Sequence, residues 1–280
     1  GAVDIAHSPS PLPMPSRGAR VITVHDCYFL RHPEDVVGPV RRHYVPLIRR
    51  ATAKADAIMT VSETTRDELC ELLEVAPERV HVAHLGVEPE FVARGGLPES
   101  DSVERIARVR ERFGLEHPYL LFVGRREPRK DLKTLLEAFS HVLAAEPDLE
   151  LLLVGPEGFR WQQVWDQAPQ QARQRTRVLP HQQAETLAEL YAGAEALVLS
   201  SRWEGFGLTG LEAMATGTPV AATRAGSLPE VLGDAAAWAE VGDPETLATA
   251  VSSILGSSER RDRLIAVGRE LVEQFRWERT

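Results

Sequence analysis

The chain has 280 residues, 43% of them hydrophobic and 26% charged, which is enough apolar material for one large globular domain or two modest ones. A net charge of −9 argues against a dedicated nucleic-acid binder, because phosphate contacts need a basic surface. Two cysteines, Cys27 and Cys70, exclude a disulfide framework or a Cys-rich zinc site, and no apolar run reaches the ~18–20 residues of a bilayer span.

Short apolar runs recur along the chain. They are VDIAH from Val3, VITVH from Val21, AIMTVS from Ala57, VHVAHLG from Val80, YLLFVG from Tyr119, LELLLVG from Leu149, ALVLSS from Ala196 and TPVAAT from Thr218. Each is rich in Val, Ile or Leu without polar alternation, as strands buried on both faces of a parallel sheet read. Helical patterns lie between them. VVGPVRRHYVPLIRRATAKAD (36–56) carries Arg41, Arg42, Arg49, Arg50 and Lys54 among apolar residues, and Pro46 is expected to disrupt it. It reads either as an ordinary helix with a solvated face or as one lying on an anionic membrane. EPEFVARGGLPESDS, near residues 88–101, has two Pro, two Gly and four acids without apolar periodicity, and reads as an interdomain linker. DLKTLLEAFSHVL from Asp131 places Leu132, Leu135, Leu136, Phe139 and Leu143 on one helical face, and QAETLAELYAGA, LTGLEAMATG and the stretch from Glu259 continue the alternation. Strand–helix alternation on this scale means a doubly wound α/β architecture.

The most informative segment is SSRWEGFGLTGLEAMATGTPVAATRAGSLPEV, from Ser200 to Val231. A strand runs into Glu204-Gly205-Phe206-Gly207, and a helix is expected from about Thr209. Glycines 205 and 207 allow a sharp turn that exposes successive N–H groups at a helix start, where free donors and the helix dipole favour phosphate. Glu204 precedes the turn and Glu212 falls in the first helical turn; carboxylates only accept, and can take sugar hydroxyls in pairs. Amides for a diphosphate with a carboxylate on each side suit a sugar nucleotide. Gly-Phe-Gly alone is also an ordinary strand-to-helix turn, and the two glutamates eight apart favour the ligand-binding reading.

A second constellation is LLFVGRREPRKDLKTLLEAF, from Leu120 to Phe139. The strand ends at Gly124, Arg125 follows, and Lys130, one of only three lysines in the chain, stands five residues on. Open parallel sheets bind ligands beyond the carboxyl ends of their strands, where this loop and the Glu204 loop both sit. Arg125 and Lys130 suit a diphosphate dianion, while Arg126 and Arg129 read as charges of a solvated loop. His25 also stands at a strand end. His81 and His84 point to opposite faces of their run and cannot chelate together. No Asp-x-Asp stands at a strand end, and with cations and amides at hand no metal is expected.

The chain resembles the retaining glycosyltransferases of family 4, of GT-B fold, over nearly its whole length. The resemblance is carried by Glu204-x7-Glu212 within EGFGLTGLEAMATGTPV, by Gly124-Arg125…Lys130, by GSLPEVLGDAA from Gly226, and by VITVHD, ADAIMTVSE and Gly86-Val87. It implies two Rossmann-like, doubly wound parallel-sheet α/β domains facing a cleft. Residues 1–95 would be the acceptor-side domain, 96–270 the donor domain, and 271–280 the start of a helix crossing back. The family's opening strand and glycine-rich loop are not found, and Leu85 stands where an Asn often precedes the Gly-Val, so the first domain is expected to be incomplete. By resemblance, Gly124, Arg125, Lys130, Glu204, Gly205, Phe206, Gly207, Leu208 and Glu212 bind the donor. Glu204 would hold hexose hydroxyls and Glu212 the ribose. Arg125, Lys130 and the amides of Phe206, Gly207 and Leu208 would hold the diphosphate. His25, which faces the donor sugar in the family, joins Arg125, Lys130 and Glu204 as the catalytic set.

The implied reaction is retaining, front-face transfer of a hexose from a nucleotide-diphosphate sugar to a glycan or lipid-linked acceptor, with no separate cofactor. VITVHD and REPRKDL look most like mannosyltransferases of cell-surface polysaccharide, so GDP-mannose precedes a UDP-hexose as the expected donor. A cytoplasmic location is expected because GAVDIAHSPSPLP lacks a signal-peptide pattern, with peripheral contact at the inner membrane face as a further reading. Two other classes stand beside this one: a nucleotide-sugar-binding fragment without turnover, and a same-fold sugar-nucleotide epimerase or glycoside phosphorylase. A Rossmann dehydrogenase is disfavoured, since no Gly-x-Gly-x-x-Gly follows a strand.

Overall fold

A computed structural model of the chain describes residues 3–11, 16–35, 38–97 and 99–280. Part of the SPSPLPMP tract, the first two residues of the basic stretch and the Arg41 side chain lie outside the described residues.

Two parallel sheets organise the molecule. The first runs in the order β1-β2-β3-β4, with β1 Ile5–Ser8, β2 Ala19–Val24, β3 Ala57–Thr60 and β4 Val80–Val82. Three helices belong to this lobe: α1 Tyr28–Arg31, α2 Gly38–Lys54 and α3 Glu63–Leu73. The second sheet contains β5 Tyr119–Val123, β6 Glu150–Val154, β7 Thr176–Leu179, β8 Ala196–Leu199, β9 Val220–Thr223 and β10 Ala236–Ala239. Its order is β7-β6-β5-β8-β9-β10, all parallel, so the chain reverses its direction of travel between β5 and β8. That reversal opens a crevice at the carboxyl ends of those two strands.

Both faces of the second sheet are covered, which is why its inner strands read as unbroken apolar runs. Alternate residues of β5 serve opposite faces. Leu120 and Phe122 pack with Leu135 and Phe139 of α6 (Leu132–Val142) and with Val251 of α12 (Pro244–Leu255). Leu121 and Val123 pack with Leu190 of α9 (Ala184–Ala192) and Leu211 of α10 (Leu208–Thr216). The remaining helices are α4 Pro89–Gly95, α5 Glu99–Phe113, α7 Trp161–Gln167, α8 Gln170–Gln174, α11 Leu228–Leu232 and α13 Ser258–Val272.

The structure departs from the sequence reading in three places. β7 and β10, the two edges of the large sheet, went unread. The supposed linker carries α4 and the start of α5. Phe91 of α4 is buried in the core of the second lobe, and Arg94 reaches Glu189 of α9 at 2.6 Å, so burial outweighs the Pro/Gly-rich composition. α2 continues through Pro46, because Ile48, Ala51 and Ala55 are buried against the first sheet and hold the chain on course. After α13 the chain returns to the first lobe through a turn and a 3-10 turn at Trp277–Arg279. There the Val87 N–H donates to the Phe275 carbonyl at 2.9 Å, and the Thr280 hydroxyl to the His84 carbonyl at 2.8 Å.

Candidate active site

The loops after β5 and β8 meet at the crevice. After β5, Gly124 (φ +148°) lets the chain leave the sheet, and a 3-10 turn at Pro128–Lys130 ends on Asp131, which caps α6. The Ser200 hydroxyl donates to the Lys130 carbonyl at 2.7 Å and the Arg202 N–H to the Arg129 carbonyl at 2.8 Å. The loop after β8 is thereby fixed against that turn.

Glu204 sits at the centre, buried. Lys130 Nζ lies 2.6 Å from Oε1, the Ser201 hydroxyl donates to the same oxygen at 2.6 Å, and Arg129 Nη1 lies 2.7 Å from Oε2. Burial alone would push this carboxyl up. The attraction of Lys130 and Arg129 and the bonds from Lys130 and Ser201 outweigh it and hold the carboxyl down at about 2. Burial opposes the charge on Arg129, but Glu204, Asp26 and Glu127 raise its pKa further. Glu204 is therefore ionised at any physiological pH, with cations on both oxygens.

The glycines follow from crowding. A Cβ on Gly205 would lie 2.1 Å from the carbonyl oxygen of His25, which belongs to the other lobe. Gly207 takes φ +98° as the N-cap of α10. Among the described residues nothing accepts from the N–H groups of Phe206, Gly207 and Leu208. The Phe206 ring turns inward against Phe275 and His84, leaving its backbone to face the crevice.

The remaining site residues are placed as follows. Glu212 lies one residue further into α10 than the sequence reading put it, just past the first turn, because the helix starts at Leu208. It is half-buried and accepts from the Tyr191 hydroxyl at 2.8 Å; burial raises its pKa, opposed by that bond, and Glu88 adds to the rise. His25 is exposed at the end of β2, its ring 3.2 Å from the Pro9 carbonyl oxygen. Arg125 is exposed and donates to the Glu157 carbonyl at 3.2 Å, apart from the Glu204 cluster. Arg129, read as a solvated charge, is the residue that sequence reasoning missed. Its one signal was its place beside Lys130 in a tight Pro-Arg-Lys-Asp turn. Arg126, also read as a solvated charge, is instead buried: it donates to the Gly155 carbonyl at 2.6 Å and covers the Trp161 ring.

Comparison with known proteins shows the family and the fold. Residues 103–271 match the family described as Glycosyl transferases group 1, and residues 2–91 match Glycosyltransferase Family 4. O-antigen chain mannosyltransferase B of Escherichia coli is 30% identical over 283 residues, covering 98% of this chain and 71% of that protein. MMP alpha-(1->4)-mannosyltransferase of Mycolicibacterium hassiacum is 32% identical over 249 residues, covering 85% of this chain and 56% of that protein. The chain thus spans only about half to seven-tenths of the length of these relatives. Sucrose-phosphate synthase of Thermosynechococcus elongatus shares the fold with a TM-score of 0.78 at 22% identity, over 98% of this chain and 70% of that one. With that match over residues 103–271 and two parallel-sheet lobes of GT-B type, the chain belongs to the group 1 glycosyltransferases.

Proposed function

We propose that the protein transfers a hexose, with retention and without a metal ion, from a nucleotide-diphosphate sugar to a glycan or lipid-linked acceptor. Mannose from GDP-mannose is the first donor, in keeping with the two mannosyltransferase relatives, and a UDP-hexose the second. The observation that carries this reading is Glu204, held ionised between Lys130 and Arg129 at the start of the turn that carries the Phe206, Gly207 and Leu208 amides.

In this reading the diphosphate rests on those amides, and Lys130, with Arg129 beside it, balances the charge that grows as the glycosidic bond breaks. Arg125 joins them by turning from Glu157. Glu204 takes donor hydroxyls, Glu212 the ribose hydroxyls, and His25 faces the sugar from the other lobe. Both Glu204 oxygens are already engaged by cations, which makes it a poor nucleophile. Attack by the acceptor hydroxyl on the face the diphosphate leaves, with a phosphate oxygen taking the proton, therefore fits better than a covalent glycosyl-enzyme. Among the described residues no helix is long and apolar enough to cross a membrane. The exposed basic face of α2 (Arg42, Arg49, Arg50 and Lys54) is a candidate contact for an anionic bilayer. Nucleotide release from a panel of GDP- and UDP-sugars, with and without EDTA, tests the reading. Turnover insensitive to EDTA is expected; donor binding without release, or release restored only by Mg²⁺, would overturn transfer or metal independence respectively.

A further inference from the structure

Glu230 makes a contact that donor binding does not require. It lies in α11 of the second lobe, yet its partners belong to the first. Oε1 accepts from the Glu63 N–H at 2.8 Å; Oε2 accepts from the Thr64 N–H at 3.0 Å and from the Thr64 hydroxyl at 2.9 Å. His84 Nε2 lies 3.3 Å from Oε1. These backbone donors open α3, an 11-residue helix whose first N–H groups lack partners within the helix. The hydroxyl of Ser62, the N-cap, accepts from the Thr65 N–H, and the two earlier donors are met by a carboxylate from across the cleft. The Ser62 hydroxyl lies 2.8 Å from the carbonyl oxygen of Gly205, in the glycine turn of the site. The start of α3 thus touches α11 and the donor turn at once.

We propose that Glu230 is a positioning residue: by fastening the start of α3 to α11 it sets the gap between His25 on one lobe and the Glu204–Gly207 turn on the other. The idea rests on the transfer reading above, but its first readout does not. Glu230 bonds to Glu63, Thr64 and His84 and to none of Glu204, Lys130 and Arg129, so its effect on transfer runs through lobe spacing.

The test uses Glu230→Ala, Glu230→Gln and Thr64→Val in the full chain, with a pair of distance labels, one on each lobe. Glu230→Ala is expected to lengthen and broaden the interlobe distance. It should also lower kcat about tenfold or more while changing the KM for the nucleotide sugar less than about twofold, because the donor's contacts stay on the second lobe. Glu230→Gln, which keeps one accepting oxygen, should fall between. Adding Thr64→Val to Glu230→Ala should cost little more, since the contact is already gone. An unchanged distance overturns the proposal, as does a kcat loss that tracks a fall in thermal midpoint, or losses that multiply in the double variant. If the unaltered chain shows no turnover, the transfer reading fails by itself, and the distance change alone decides the role of Glu230.

Discussion

Glu204 and Glu212, on either side of the Gly205–Gly207 turn, sit eight residues apart and have opposite environments. Glu204, at the turn, has a cation on each oxygen and a depressed pKa; Glu212, on the helix, has one neutral phenol donor and a raised one. Burial is common to both, so the partner decides the sign. A carboxylate with two cations is part of the scaffold before any ligand arrives, whereas one with a single neutral partner is only lightly committed and free to meet a ligand.

Replacing Glu204 should have the largest effect. Glu204→Ala leaves Lys130 buried and Arg129 without their shared anion, and breaking such a pair typically costs about 3–5 kcal/mol of stability. Denaturant unfolding should show that loss together with the disappearance of turnover; a variant as stable as its parent would mean the cations find water instead. The next effect is in acid. Glu204 falls from its ordinary 4.5 to about 2 in the folded chain, worth about 3 kcal/mol at neutral pH. Because its folded pKa is depressed, that stability is complete above 4.5 and is lost as pH falls towards 2, a slope that Glu204→Gln should lack. Glu212 has the reverse sign: its raised pKa means a contribution present below 4.5 and lost as pH rises through its folded value. Titrating Glu212→Gln beside the parent should therefore give a slope difference of opposite direction. The smallest structural effect is that of Glu212→Gln at neutral pH, where the amide oxygen still accepts from Tyr191 and stability should move by less than about 1 kcal/mol. Its KM for the donor should rise about tenfold with kcat little changed, the mark of lost ground-state binding.

Most of the large sheet was legible because its inner strands are buried on both faces and are apolar apart from Glu150 and Thr223 at strand ends. The edges were not, for physical reasons. TRVL in β7 is half-exposed and tolerates Thr and Arg, while AAWA in β10 packs small alanines that carry little strand preference. Glu204, Lys130 and the glycines were legible because spacing alone puts them at strand ends. That Arg129 turns inward beside Lys130 was not. Arg129 and Lys130 both reach Glu204 because the 3-10 turn and the left-handed Asp131 (φ +46°) rotate them over the β8 loop, a tertiary arrangement with no trace in composition. The role of α4 was hidden likewise, since Phe91 and Arg94 find their partners on α9 and in the core of a lobe the chain has yet to build.

The chain passes between the lobes twice, once near Val87 and once near Phe275, and those two passages are bonded to each other. Two crossings joined side by side act as a hinge pin rather than as a tether. Opening of the cleft becomes a rotation about one line near Gly86, where Trp277 packs so closely that no side chain would fit. Small angular changes there become large displacements at the far end of the cleft, while residues beside the pin barely move.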